Sequence, residues 1–277
     1  MGDRLFLRHP DASTGRIHAV DPSSAGWEWL TFDVHELRTG DRVVSTGSAA
    51  QGRERLLLVL EGSASVKLDG RDGGVVGRRS SVFEGPPAGV VVAGPGVTLS
   101  ATATTRALIG LASAKAGKVS RTAVVPDSEI LVEQRGSGST ARQVNHLLDP
   151  AAQAGRLIAF EVFTPAGNWS SYPPHKHDTE DPPTEALLEE LYFYRFARPG
   201  AFGVQRVYTP DRSIDETYAV GDLDLVVVPR GYHPFGAPVG YEAYYLNVMA
   251  GPNRAWHFTI DPDHAWLMDW NPSAPTT

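Results

Sequence analysis

Short β-type runs separated by turn formers recur along most of this chain, and that rhythm constrains its fold more than any other feature. In the first half they cover 27–34, 55–60, 63–68, 81–83, 89–93, 97–103 and 107–112; Asp69-Gly70 after the third is a tight-turn signal. In the second half they cover 156–164, 191–196, 203–208, 216–220, 223–228 and 244–249. A spacing of roughly 8–12 residues between strands is the pattern of a β-sandwich or β-barrel. The 28 glycines and 21 prolines among 277 residues supply the turns. Between the halves the rhythm breaks. S-A-K-A-G-K at 113–118 and R-G-S-G-S-T at 135–140 are small and polar, which places a domain boundary within 115–140. The expected division is residues 1–125 and 126–277, two β-barrels of one type. Residues 140–148 read as a short helix capped by Thr140.

Composition narrows the class. A 42% hydrophobic and 21% charged chain is globular and long enough for a sizeable core. The net charge of -7 and the lack of any Lys/Arg-rich run give no basis for nucleic acid or an anionic membrane as partner. The absence of cysteine excludes disulfides, thiolate metal sites and cysteine nucleophiles. No signal-peptide core and no membrane-length apolar run are present, so a cytoplasmic protein is expected.

The chemistry concentrates in 172–195, Y-P-P-H-K-H-D-T-E-D-P-P-T-E-A-L-L-E-E-L-Y-F-Y-R. Side chains two apart on a strand share a face, so His175 and His177 point the same way, about 7 Å apart along the chain. The same parity puts Glu190, Tyr192, Tyr194 and Phe196 on one face and Leu191, Phe193 and Arg195 on the other. Glu190 is therefore preferred to Glu189 as a ligand. P-R-G-Y-H-P at 229–234 adds His233. An isolated H-x-H beside prolines is more often a solvated loop; three ordered parts together favour a site. His175, His177, Glu190 and His233 are expected to bind one divalent metal, with Zn, Mn, Fe, Co or Ni all compatible with imidazole and carboxylate. His9, His18, His35 and His146 are scattered and read as structural or surface residues, and His264 as packing or rim.

H-K-H…E…P-R-G-Y-H resembles the two-part motif of the cupin superfamily. A closer resemblance rests on longer blocks: G-N-W-S-S-Y-P-P-H-K-H-D (167–178), E-E-L-Y-F-Y-R-F (189–196), Q-R-V-Y-T (205–209), D-E-T-Y (215–218), V-P-R-G-Y-H-P (228–234), Y-Y-L-N-V-M-A-G (244–251) and D-P-D-H-A-W (261–266). Together they resemble the 5-deoxy-glucuronate isomerase family of myo-inositol catabolism, related to the 5-keto-4-deoxyuronate isomerases. The N-terminal half resembles that family mainly in length and β character. The resemblance implies an all-β bicupin fold. It also implies an aldose–ketose isomerisation of 5-deoxy-D-glucuronate to 5-dehydro-2-deoxy-D-gluconate, with a small uronic-acid-type substrate. The first barrel has no H-x-H and is expected to be metal-free.

Such a reaction moves a proton between adjacent carbons while charge develops on oxygen, which calls for a Lewis acid and a general base. Glu190, Tyr192 and Tyr245 are the leading catalytic candidates, with Tyr194 or a metal-bound hydroxide as alternatives; the sequence does not choose among them. A carboxylate substrate calls for a guanidinium. Arg206, Arg230 and Arg195 lead, followed by Arg254 and Arg142, with Tyr194 and Gln205 as further contacts. Parity allows only one of Gln205 and Arg206 into a lumen. Trp169 reads as core. The same ligands suit a metal-dependent oxygenase, and a non-catalytic sugar-acid binder is a third reading. Unpaired barrel edges leave room for a homodimer.

Overall fold

The structure is a computed structural model, and it describes residues 5–10, 15–46, 52–117, 121–149 and 155–270. Among them strands dominate, and no helix is long and apolar enough to cross a membrane. The N-terminal sheet runs through Ala123–Val125, Gly89–Ala93, Arg53–Leu68, Ala107–Lys115, Thr31–Leu37 and Gly15–Val20. The far half of the long Arg53–Leu68 strand turns away to pair with Arg71–Arg79 and Leu99–Ala103, which forms a second wall. The main C-terminal sheet runs through Phe6–Leu7, Leu225–Val228, Glu189–Phe196, Ala243–Ala250, Ile158–Thr164, Arg142–Leu148 and Leu131–Arg135. Its opposing wall is Trp169–Ser170, Phe235–Gly236, Phe202–Tyr208 and Asp215–Gly221.

Strand alternation explains why these walls are apolar on both sides. Leu57, Val59, Val91 and Ile109 fill the interior of the N-terminal unit. Leu56, Leu58, Leu60, Val90 and Val92 point the other way, against Leu191, Phe193, Leu225, Val227, Leu246 and Val248 of the C-terminal unit. Tyr192, Tyr194, Phe196, Val226, Val228 and Met249 then fill the second interior. Near-continuous apolar runs such as Leu56–Leu57–Leu58–Val59–Leu60 are what a wall buried on both faces requires.

Strand register supplies the internal alignment that the sequence conceals. Leu56 lies between Val92 and Ala112, and Leu191 lies between Val227 and Val248. Glu54 thus corresponds to Glu189, and Arg55 to Glu190. The two units also exchange edge strands. Phe6–Leu7 leads into the N-terminal sheet but pairs with Leu225–Val228 of the other. Ala123–Val125 leads into the C-terminal sheet but pairs with Gly89–Ala93.

Two expectations need correction. Residues 142–148 form a strand, because Arg142–Leu148 is paired on both sides, by Leu131–Arg135 and Ile158–Thr164; tertiary pairing overrides the local helical pattern. Only a 3-10 turn, Gly138–Thr140, precedes it. The segment in which the boundary is expected carries a strand of each sheet, Ala123–Val125 and Leu131–Arg135; Lys118 lies outside the described residues. Trp169 is 40% exposed and packs beside Tyr172 with ring centroids 5.7 Å apart, so it is not core.

Candidate active site

The site forms where Glu189–Phe196, Ala243–Ala250 and the loops carrying His175, His177 and His233 converge. Glu189 and Glu190 separate by parity. Glu190 enters the interior, fully buried, while Glu189 faces the other unit and accepts hydrogen bonds from the backbone N–H groups of Glu28, Trp29 and Leu30. Glu190 Oε2 lies 2.9 Å from both His177 Nε2 and His233 Nε2. His177, Glu190 and His233 bring their donor atoms within 4.8 Å of one another, and His175 stands beside them, its centroid 5.0 Å from that of His233 and 6.3 Å from that of His177.

The three imidazoles are oriented alike. Each Nδ1 lies within hydrogen-bond distance of a backbone carbonyl: Pro173 for His175 at 2.9 Å, Leu188 for His177 at 3.0 Å and Gly231 for His233 at 2.9 Å. An Nδ1–H donor of this kind leaves Nε2 as the free lone pair, the arrangement of imidazoles that bind a metal. His233 Nε2 is buried and makes no hydrogen bond despite its closeness to Glu190. The donor atoms of His177, Glu190 and His233 are close enough together to share one ion. The donor set therefore fits a divalent cation. Asn247 donates to the other oxygen, Glu190 Oε1, so both carboxylate oxygens are engaged.

Burial and the neighbouring charges act differently on the members of the cluster. Burial, and then the neighbouring His233 and His177, push His175 down to about 3, which keeps that ring neutral. For His177 burial favours the neutral ring, but Glu190 outweighs it and raises the pKa. Burial would raise Glu190, but the facing His233 and His177 hold it well below the usual carboxylate range.

Outside the cluster, a charged lock fixes the ligand loops. Lys176 Nζ bonds Asp178 at 2.6 Å and Glu185 at 2.8 Å. Asp178 Oδ2 accepts from Gly231 N at 2.8 Å, which ties the H-x-H segment to the turn before His233. Gly231 has φ +90°, and a Cβ there would fall 2.4 Å from Tyr208 O, so this turn requires glycine.

Tyr192 and Tyr245 line the cavity beside Glu190, together with Ser171, Asn247, Arg142, His175 and Trp256. Ser171 Oγ is 2.8 Å from the Tyr192 hydroxyl and 3.4 Å from that of Tyr245. Ser171 has φ +48°, a strained value for a non-glycine residue. Burial raises both phenols, and Glu190 adds to the effect at Tyr192.

Other expected contacts lie elsewhere. Tyr194 and Gln205 are buried side by side, with Tyr194 OH donating to Gln205 Oε1 at 2.6 Å and Gln205 Nε2 donating to His233 O at 2.6 Å; they brace a ligand rather than line the cavity. Arg206 faces outward onto Asp215 at 2.7 Å, as its parity opposite Gln205 requires. Arg230 is exposed and bonds Ser213. Arg195 lies on the inter-unit face, paired with Glu61 at 2.5 Å and Asp222 at 2.8 Å. Arg254 bonds backbone carbonyls of Leu157 and Asp149. Of the five arginines weighed, Arg142 reaches the cavity. Asn247, Ser171 and Trp256 were missed. A lone amide in the apolar strand Y-Y-L-N-V-M-A was the available signal for Asn247; nothing in the sequence marks Ser171.

The sequence model of the KduI/IolB family matches residues 5–267. The chain belongs to the KduI/IolB family. It is 43% identical over 267 residues to a 5-deoxy-glucuronate isomerase of Geobacillus thermodenitrificans, covering 96% of each chain. A crystal structure of an IolB-like protein from Salmonella typhimurium superposes with TM-score 0.91 at 40% identity, covering 95% of this chain and 99% of that one. The family likeness thus extends through the N-terminal half, beyond the blocks legible in the sequence. Lactobacillus farciminis oxalate decarboxylase superposes with TM-score 0.62 at 12% identity, covering 98% of this chain and 92% of that one. That distant likeness concerns the fold alone, and this KduI/IolB member is an all-β bicupin.

Proposed function

We propose that this enzyme interconverts 5-deoxy-D-glucuronate and 5-dehydro-2-deoxy-D-gluconate in inositol degradation. Family membership supports the isomerase class, and one observation carries the chemistry: three imidazoles with Nδ1 at backbone carbonyls surround a buried carboxylate, beside two phenols joined by one serine.

In this reading His175, His177, Glu190 and His233 hold one divalent cation, of the Zn, Mn, Fe, Co or Ni type. Such an ion polarises a carbonyl and its neighbouring hydroxyl, making the intervening C–H more acidic. Glu190 serves as ligand rather than base, since Asn247 and the two imidazoles engage both its oxygens. Tyr192 and Tyr245 donate hydrogen bonds to the oxygens on which charge develops, and Ser171 Oγ between the two hydroxyls orients them. Trp256 and Phe258 close the cavity around the histidines and limit water there. The N-terminal unit is metal-free in this reading, because Arg55 stands where the other unit has Glu190. Its guanidinium is buried against the carbonyls of Gly94 and Val97, and a fixed cation opposes a second one.

The test is to load the purified protein with each metal, quantify bound metal by mass spectrometry, and follow 5-deoxy-D-glucuronate by NMR without oxygen. Conversion to the ketose is expected; absence of conversion by the metal-replete protein refutes the assignment, and a requirement for oxygen indicates an oxygenase.

A further inference from the structure

We infer that Arg142 is the anchor for the substrate carboxylate and sets the preference for an acid over a neutral sugar. The inference rests on the sugar-acid reading above. The cavity beside the histidines is only about 50 Å³, well below the few hundred Å³ usual for a small-molecule pocket. A six-carbon acid bound at the cluster by its carbonyl end must extend beyond it. A second cavity of about 490 Å³, lined by Phe83, Gln134, Gln143 and Phe163, lies on the opposite face of the same strands and is not its continuation. Arg142 opens its strand and lines the histidine cavity with Tyr245, so its side chain stands at the rim past which the far end of the substrate would extend.

The guanidinium is positioned but not neutralised. Its NH1 donates to Thr140 O at 2.8 Å and its NH2 lies 3.4 Å from Tyr172 O. Among the described residues it makes no ion pair. Arg135, which also lines the smaller cavity, is already held by both oxygens of Glu133, at 3.1 and 2.7 Å. Gly136 makes room for the arrangement: at φ +77°, a Cβ there would come within 2.7 Å of Arg142 NH1. A partly buried guanidinium held by carbonyls alone retains donors for an incoming carboxylate, in the planar fork geometry that carboxylates match.

The experiment uses the metal-loaded full chain and two non-isomerising ligands, the reduced open-chain acid of the substrate and the matching uncharged alditol, with affinities measured by calorimetry. The wild type is expected to favour the acid by roughly 30-fold, the range of one charge-assisted hydrogen-bonded pair. Arg142→Gln is expected to abolish that preference while leaving alditol affinity and metal content unchanged, and Arg142→Lys to keep part of it. A variant that retains the preference, a variant that weakens both ligands alike, or a wild type with no preference overturns the inference. Failure of the isomerase reading looks different: the wild type would still prefer the acid but would not turn over 5-deoxy-D-glucuronate.

Discussion

Glu54 and Glu189 perform the same task in opposite directions. Glu54, on the N-terminal sheet, accepts hydrogen bonds from Gly155, Arg156 and Leu157 of the C-terminal unit. Glu189, on the C-terminal sheet, accepts from Glu28, Trp29 and Leu30 of the N-terminal unit. Each carboxylate satisfies three backbone donors that enter the partner sheet, so the two halves are fastened by a reciprocal pair related by the internal repeat. Between them Glu161 binds Arg79, Tyr244, Asn145 and the Ala88 amide in the buried seam.

Removing either carboxylate leaves one buried N–H, that of Leu30 or Leu157, and two part-buried ones unpaired, the buried one alone costing about 1–3 kcal/mol. Glu189→Ala should therefore destabilise the protein by about 3 kcal/mol or more, and Glu54→Ala similarly, in urea unfolding curves. Unchanged midpoints would show that the pair is incidental.

Strand exchange makes the halves interdependent. A fragment of residues 126–277 lacks the Phe6–Leu7 edge strand and exposes the apolar face of Leu191, Phe193, Leu246 and Val248. It should be insoluble or lack a cooperative melt alone, and recover structure when co-expressed with residues 1–125. Circular dichroism melts of the separate and combined halves decide this.

At the cluster, His177→Ala and His233→Ala should each lose bound metal and turnover, and a chelator should abolish wild-type activity until a divalent ion is restored. Asn247→Ala should retain the four ligands but free one Glu190 oxygen; metal affinity should fall 10–100-fold, the usual effect of losing such a support. Metal titrations followed by calorimetry measure both.

Acid stability should depend on Glu133. Its hydrogen bonds to Arg135, and then to His146, pull its carboxyl down to about 2 against the desolvation that opposes them. The unfolded chain binds this proton at higher pH than the folded one does, so the stabilisation is complete above the ordinary carboxylate value and fades as pH falls toward 2. The wild type should out-melt Glu133→Gln at pH 6, and the gap should shrink steadily in melts taken at lower pH. A constant gap would place its origin elsewhere.

The sequence by itself determined the β class and the family, and it pointed to the cluster of His177, Glu190 and His233. Short alternating runs permit little else, and the parity of a single strand sufficed to separate Glu190 from Glu189. Parity left Arg206 and Gln205 as alternatives, and only the fold turned Gln205 inward and set Arg206 and Arg195 against Asp215 and Asp222. What only the tertiary structure decided is whatever depends on partners distant in the chain. The strand at Arg142–Leu148 exists because two neighbours pair with it, and Arg142 reaches the cavity because that strand ends there. Ser171 joins two tyrosines 21 and 74 residues away, and Asn247 meets Glu190 across 57 residues. Local patterns fix which face a side chain takes; only the closed fold fixes what stands opposite it.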